Sequence, residues 1–310
     1  MKTRLLMHPD ELTKQKIDTF KDLGLDIISF HPVGGADAHK SLENMLLMFE
    51  DEKFTKLLDY IKECGMEIEY EMHAASFLMP RELFDTHPEY FRFDGEKRVR
   101  DINFCISNKE AIELCVKNAV SLVKKLYKSN PVYYIWLDDV VGGNCKCEKC
   151  REMSISVQQL KIMNLILKEI KKEIPSARLA YLAYRDTLEI PVGEEIEEGI
   201  FLEYAPFERD FTKGAIGMTE PEKEKLYKLI EFFGKENASV LEYWYDNSMF
   251  SNWEKPPRKF TPDNESIKKD IAFYQSLGFE NIGSFACYLG EDYEKLWGKA
   301  DYSAFEKNQV

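Results

Sequence analysis

The chain has no long apolar run. Near its start the longest is Leu5-Leu6-Met7, three residues, too short for the core of a signal peptide. Nothing approaches the roughly 20 apolar residues of a membrane span. Positive charge is also in short supply: Lys+Arg is 42 against Asp+Glu 55, a formal net charge of -13 over 310 residues. That balance excludes sequence-independent nucleic-acid binding, which needs a basic surface, and docking on anionic membranes. Neither a G-x-G-x-x-G fingerprint nor a P-loop follows any apolar run. An open doubly wound sheet therefore loses its usual support, and no organic cofactor is expected. Cysteines number seven, an odd count with three clustered, which does not form a disulfide framework. In a reducing compartment such clustering points to metal. The expected location is cytoplasmic, although a chain stripped of its leader would read the same.

What is present is alternation. Short apolar runs (4–8, 26–32, 67–73, 132–139, 178–184, 200–206, 239–246 and 281–289) read as strands. Amphipathic stretches between them read as helices, as at 52–64, where Phe54, Leu57, Leu58 and Ile61 recur at helical spacing. A terminal helix is expected over 292–307, and Ser154 is placed to cap the helix that follows it. About eight β–α units predict an α/β fold, a closed (β/α)8 TIM barrel. It would be a single domain over 1–310, with an ordered irregular excursion at about 74–107 and a Cys-rich loop at 142–151.

In such a barrel the active site lies at the carboxyl ends of the strands. The fourth strand ends Trp136-Leu137-Asp138-Asp139 and runs into Gly142-Gly143. An apolar strand has no structural use for two acids at its tip, since buried unpaired charge is costly. The other tips carry His31, Glu71 and His73, Arg185, Glu203 and Tyr204, then Glu242, Tyr243, Trp244 and Asp246, and finally Tyr288. Period-two alternation puts Glu242, Trp244 and Asp246 on one face. Carboxylates with Trp and Tyr around one mouth suit a sugar: aromatic faces stack on pyranose rings, and two acids can cleave a glycosidic bond. The partner of Asp138 or Asp139 would be Glu242 across the barrel. Alternatively, a 2-acetamido group of the substrate acts as nucleophile, which adjacent Asp138 and Asp139 would serve. Any single one of Glu71, Glu203 or Asp246 can equally be a structural ion-pair partner.

Cys145-Lys146-Cys147-Glu148-Lys149-Cys150 is C-x-C-x-x-C. It supplies three thiolates at zinc-knuckle spacing, and Cys105 is the expected fourth ligand. An all-thiolate shell leaves no open position, so this zinc would be structural. The alternative is reduced thiols in a turn.

These residues also carry a family likeness. Trp136-Leu137-Asp138-Asp139 with the cysteine run, His87-Pro88-Glu89-Tyr90-Phe91, Phe104-Cys105-Ile106-Ser107-Asn108, Leu202-Glu203-Tyr204-Ala205-Pro206 with Arg209-Asp210, and Glu242-Tyr243-Trp244-Tyr245-Asp246-Asn247-Ser248 together resemble the domain of unknown function 4838 family. The resemblance implies a glycoside-hydrolase-type barrel akin to family 20 hexosaminidases and alpha-glucuronidases. In family 20 the fourth strand ends in an Asp-Glu pair whose Glu is the acid, so Asp139 would take that place with a side chain one methylene shorter.

The resulting expectation is a glycoside hydrolase acting on a carbohydrate, most plausibly an N-acetylhexosaminide or a uronide. Asp139 would be the general acid, Asp138 its orienting partner and Glu242 the second carboxylate. His31, His73, Glu71, Arg185, Glu203, Tyr204, Tyr243, Trp244, Asp246 and Tyr288 would contact substrate, with the Arg185 fork matched to a uronate carboxylate. A non-catalytic sugar-binding barrel is the alternative. A weaker one is a metal enzyme using His31, His73 and Glu71.

Overall fold

In the computed structural model, which describes residues 1–210 and 213–307, eight parallel strands close into one barrel in sequential order. They are β1 (Lys2–Met7), β2 (Ile27–Phe30), β3 (Glu67–His73), β4 (Val132–Trp136), β5 (Arg178–Ala183), β6 (Ile200–Tyr204), β7 (Ser239–Glu242) and β8 (Asn281–Phe285). The α-helices are α1 (Lys14–Asp22), α2 (Ala38–Met48), α3 (Glu52–Glu63), α4 (Ala75–Leu78), α5 (Lys109–Lys125), α6 (Ile155–Glu173), α7 (Glu220–Phe233), α8 (Asn247–Phe250), α9 (Asn264–Ser276) and α10 (Glu291–Trp297). The expected (β/α)8 barrel is therefore what the chain forms.

Local chemistry explains several boundaries. Ser154 Oγ accepts from the Val157 amide and opens α6 as expected. Thr13 caps α1 in the same way, so that helix starts at Lys14. The terminal helix is shorter than the sequence suggests: Gly298, at φ 83°, stops α10 after Trp297. The 74–107 excursion contains α4 and two short 3-10 turns over Arg81–Asp85 and Pro88–Tyr90.

Inside the barrel, alternate residues of each strand point to the axis. Leu6, Tyr134, Trp136, Ala180, Leu182, Phe201 and Leu241 form the apolar part of that interior. Beneath them lies a charged knot. Arg4, fully buried, donates through Nη2 to Glu203 Oε1 at 2.8 Å and to Ser239 Oγ at 3.1 Å. Its Nη1 lies 3.4 Å from Glu69 and 3.2 Å from Glu71. The guanidinium also lies over the Tyr134 ring, 4.6 Å from its centroid. Gly283 makes room, since a Cβ there would meet Arg4 Nε at 2.7 Å. One cation cannot neutralise three carboxylates. Burial accordingly pushes Glu203 up to about 7, against the pull of Arg4, and Glu71 well above the usual carboxylate range.

These shifts set the pH dependence of stability. Burial also pushes Glu11 up to about 8. Carboxyls raised on folding contribute stability that is whole below their unfolded value and is lost as pH rises through 7 to 8. Burial holds His31 well below 6.5, with the His73 and His8 charges adding to the effect. Its contribution is whole above about 6.5 and is lost as pH falls. The expected result is a melting temperature that declines from pH 6.5 to pH 9, with Glu11→Gln lessening the decline. A melting temperature rising over that interval would contradict the assignment.

Candidate active site

A cavity of about 560 Å³ opens at the carboxyl ends of the strands. The inward rows of the strands build its floor: His31 follows β2, His73 ends β3, Trp136 ends β4, and Phe285 ends β8. Their rings pack together, His31 lying 5.7 Å from Trp136 and 5.4 Å from Phe285, and His73 lying 5.1 Å from Trp136. Trp136 Nε1 reaches down to Glu203 Oε2 at 3.1 Å, joining the floor to the charged knot below.

Three histidines face the cavity with one orientation in common. Nδ1 of His8 meets the His31 carbonyl at 2.8 Å, Nδ1 of His31 the Glu71 carbonyl at 2.9 Å, and Nδ1 of His73 the Leu137 carbonyl at 2.6 Å. A carbonyl only accepts, so each Nδ1 carries the hydrogen. In the neutral ring Nε2 is then an acceptor. The Nε2 atoms of His31 and His73 both come within 3.8 Å of where a Cβ on Gly34 would sit. Glycine there keeps that side of the cavity open.

Asp139 lines the cavity. Its side chain is 33% exposed, its Oδ1 accepts no hydrogen bond, and Arg185 Nη1 lies 3.7 Å away. Arg185 sits at φ 48° and packs its guanidinium against Tyr184 and Phe207, 5.1 and 4.8 Å from the ring centroids. Its Nε is buried without a partner. Asp246, beyond the end of β7, also lines the cavity and is 6% exposed. Its Oδ1 accepts from the Ser248 amide at 3.0 Å and from the Ser248 hydroxyl. Burial raises its carboxyl above the ordinary aspartate value, partly offset by Ser248.

Of the residues expected from sequence, His31, His73, Asp139, Arg185, Tyr243, Asp246 and Tyr288 come together around this cavity. Six do not. Glu242 is fully buried behind its strand. Arg209 Nε and Nη2 donate to its carboxylate at 3.1 and 2.9 Å, and the Tyr274 hydroxyl at 2.6 Å. Trp244 shares that outward face, its Nε1 donating to Asp270 at 3.0 Å. Alternation joins Glu242 to Trp244 as expected, but Asp246 leaves that face: β7 ends at Glu242, and Asp246 lines the cavity with Leu241 and Tyr243. Tyr204 likewise points to the helices, 6.4 Å from Tyr274. Glu71 and Glu203 face the axis but lie below the floor, engaged with Arg4. Asp138 is turned aside because β4 ends at Trp136 and alternation stops there. It pairs with Arg81, accepts from the Asn103 amide at 2.6 Å, and its own amide donates to Asn103 Oδ1 at 2.9 Å.

The arrangement does not support a metal held by His31, His73 and Glu71. Among the described residues, the group of three or more His, Cys, Asp or Glu with ligand atoms within 4.8 Å of one another is the cysteine cluster.

Sequence reasoning missed His8, Asp37, Tyr184 and Trp253, all of which line the cavity. His8 was legible as the next inward position after Arg4 and Leu6. Trp253 is 63% exposed at the mouth, and it and Asn252 have φ values of 56° and 53°. Left-handed backbone at a bulky residue costs energy and concentrates at functional sites. An exposed Trp in a polar loop was its sequence signal.

A family model described as Domain of unknown function (DUF4838) matches residues 43–296. Over 148 residues the chain is 25% identical to the beta-galactosidase LacZ of Lactobacillus acidophilus, covering 46% of this chain and 21% of that protein. Among solved structures, endo-glycoceramidase II from Rhodococcus sp. superposes with a TM-score of 0.55 at 8% identity, covering 92% of this chain and 73% of that one. An O-GlcNAc hydrolase from Thermobaculum terrenum superposes with a TM-score of 0.54 at 12% identity, covering 94% and 54%. These likenesses to solved structures agree with the barrel. The chain spans only a fraction of the length of the curated relative.

Proposed function

The chain belongs to the DUF4838 family, and from that premise we propose that it is a glycoside hydrolase. The observation that carries the reading is the presence of Asp139 and Asp246 in one cavity at the catalytic end of the barrel. The proteins it resembles point the same way, being named as a beta-galactosidase, an endo-glycoceramidase and an O-GlcNAc hydrolase.

Asp139, the more exposed of the two, gives its proton to the leaving glycosidic oxygen as the bond to the anomeric carbon breaks. Asp246, buried beyond the end of β7, acts as a carboxylate on that carbon or on the water that replaces the leaving group. Its raised pKa places the acid limb of the activity profile above the ordinary aspartate range. His8, His31 and His73 offer Nε2 acceptors to sugar hydroxyls, and Tyr243, Trp136 and Trp253 offer faces for the ring. A non-reacting sugar unit is thus held by many weak contacts while two carboxyls work on one bond.

Of the two expected sugars, the site favours the uronide. Asp138 is tied to Arg81 and Asn103, which removes it from orienting an acetamido group in the cavity. Arg185 lines the cavity, packs against two rings beside Asp139, and brings a cation that a substrate carboxylate can meet. Charge-assisted hydrogen bonds are worth about 1.5–3 kcal/mol. Arg185→Ala is therefore expected to lower kcat/KM on a glucuronide roughly 10-fold or more, with much less effect on the matching glucoside. Equal losses on both sugars, or preferred turnover of an N-acetylhexosaminide, would overturn the uronide assignment.

A further inference from the structure

The loop after β4 and the 74–107 excursion meet at Cys105, Cys145, Cys147 and Cys150. Their four sulfurs lie within 4.8 Å of one another, and all four are free thiols. Cys105, Cys145 and Cys150 are buried. The Cys105 and Cys147 sulfurs are 3.8 Å apart, far beyond a disulfide bond of about 2.05 Å. Ligands 2.3 Å from a tetrahedral zinc stand about 3.8 Å from one another, so this spacing is that of a zinc tetrathiolate.

The surroundings are built for thiolates. The Phe93 amide points at the Cys145 sulfur at 3.3 Å and Arg98 Nη1 at 3.7 Å, while the Ser107 hydroxyl lies 2.9 Å from the Cys150 sulfur. Donors of this kind hold metal-bound sulfur in place. Gln158, buried on α6, secures the knuckle from behind. Its Oε1 accepts from the Cys145 amide, and its Nε2 donates to the Cys145 carbonyl, both at 2.9 Å.

We propose that these four cysteines bind one structural zinc ion, and that this ion clamps the excursion to the loop after β4 and so fixes the Asp138–Asp139 tip. The link to the tip is continuous. Cys105 is two residues from Asn103, whose backbone amide and side-chain oxygen grip Asp138 and whose Nδ2 donates to the Gly143 carbonyl at 3.0 Å. A Cβ on Gly143 would meet that Nδ2 at 2.6 Å, so only glycine admits the contact. The metal assignment stands on the sulfurs alone; its bearing on catalysis rests on the function proposed above.

The test begins with metal analysis of the full chain purified under reducing conditions. One zinc per chain is expected, lost largely in Cys147→Ser. Exchange into cobalt(II) should give the charge-transfer and ligand-field absorption of a tetrahedral tetrathiolate. Less than a tenth of a zinc per chain after refolding with excess zinc would overturn the site, as would a cobalt spectrum of octahedral oxygen ligation. Should Cys147→Ser not fold, the wild-type stoichiometry and cobalt spectrum still decide. Amide exchange then tests the clamp. Chelation should speed exchange across 91–107 and 138–147 while β1 and β2 stay protected. Unchanged exchange across those segments in metal-free protein would overturn the clamp. If zinc is bound and no glycoside is cleaved, the metal site stands and the proposed function fails.

Discussion

Asp139→Asn should lower kcat on a cleaved glycoside by roughly 10²–10⁴-fold, the range of a lost general acid, with KM little changed. The reason is position. Asp139 lies in the cavity with an Oδ1 that accepts no hydrogen bond, and an amide keeps its shape but has no acidic proton to give. A substrate whose leaving group departs without protonation should suffer least, so the loss should shrink on nitrophenyl glycosides bearing more acidic phenols. Asp138→Asn gives the contrast. That carboxylate is spent on Arg81 and the Asn103 amide, so the substitution should cost stability and a smaller part of the rate, without the leaving-group dependence. If Asp138→Asn showed the strong leaving-group dependence and Asp139→Asn did not, the two roles would have to be exchanged.

The second large effect lies below the cavity. Arg4→Met should destabilise the protein by about 3–5 kcal/mol, the usual result of removing one partner from a buried ionic group. Arg4 faces Glu69, Glu71 and Glu203 inside the barrel, and its guanidinium is fully buried, so its loss leaves those carboxylates without a compensating charge. The variant can fold only with those carboxyls protonated. Its deficit should therefore be smaller at pH 5 than at pH 8, because carboxyls raised on folding give up their stability as pH rises. Adding Glu71→Gln and Glu203→Gln should recover part of the loss, because well-packed neutral replacements of buried ion clusters are often tolerated. Urea titration of the three proteins at both pH values measures this. An Arg4→Met variant as stable as wild type at pH 8 would mean that the knot contributes nothing.

Much of this was legible in the sequence. Strand and helix periods differ, so eight alternations gave the barrel, and the rule that sites gather at strand carboxyl ends led to His31, His73, Asp139, Arg185, Asp246 and Tyr288. What was not legible is which face of a strand looks inward and how deep a residue sits. Period-two spacing correctly grouped Glu242 with Trp244, yet both face the helices, because Arg209, 33 residues before Glu242, draws that carboxylate outward. Depth misled at Glu71 and Glu203. They face the axis as expected, but their partner Arg4 is 199 residues from Glu203, and only the closed barrel brings the two together below the floor. Asp138 departs for a third reason: alternation ends where the strand ends, and β4 ends at Trp136, two residues before Asp138.

The measurement that bears most directly on the central proposal is hydrolysis of a panel of 4-nitrophenyl glycosides, including glucuronides and N-acetylhexosaminides, by the wild-type protein. The expected result is turnover of one sugar class, glucuronides first, that collapses in Asp246→Asn, while Asp139→Asn loses less on the 4-nitrophenyl glycoside than on a glycoside of a less acidic phenol. No turnover on any member, with sugars still raising the melting temperature, would contradict it and leave a barrel that binds carbohydrate without cleaving it.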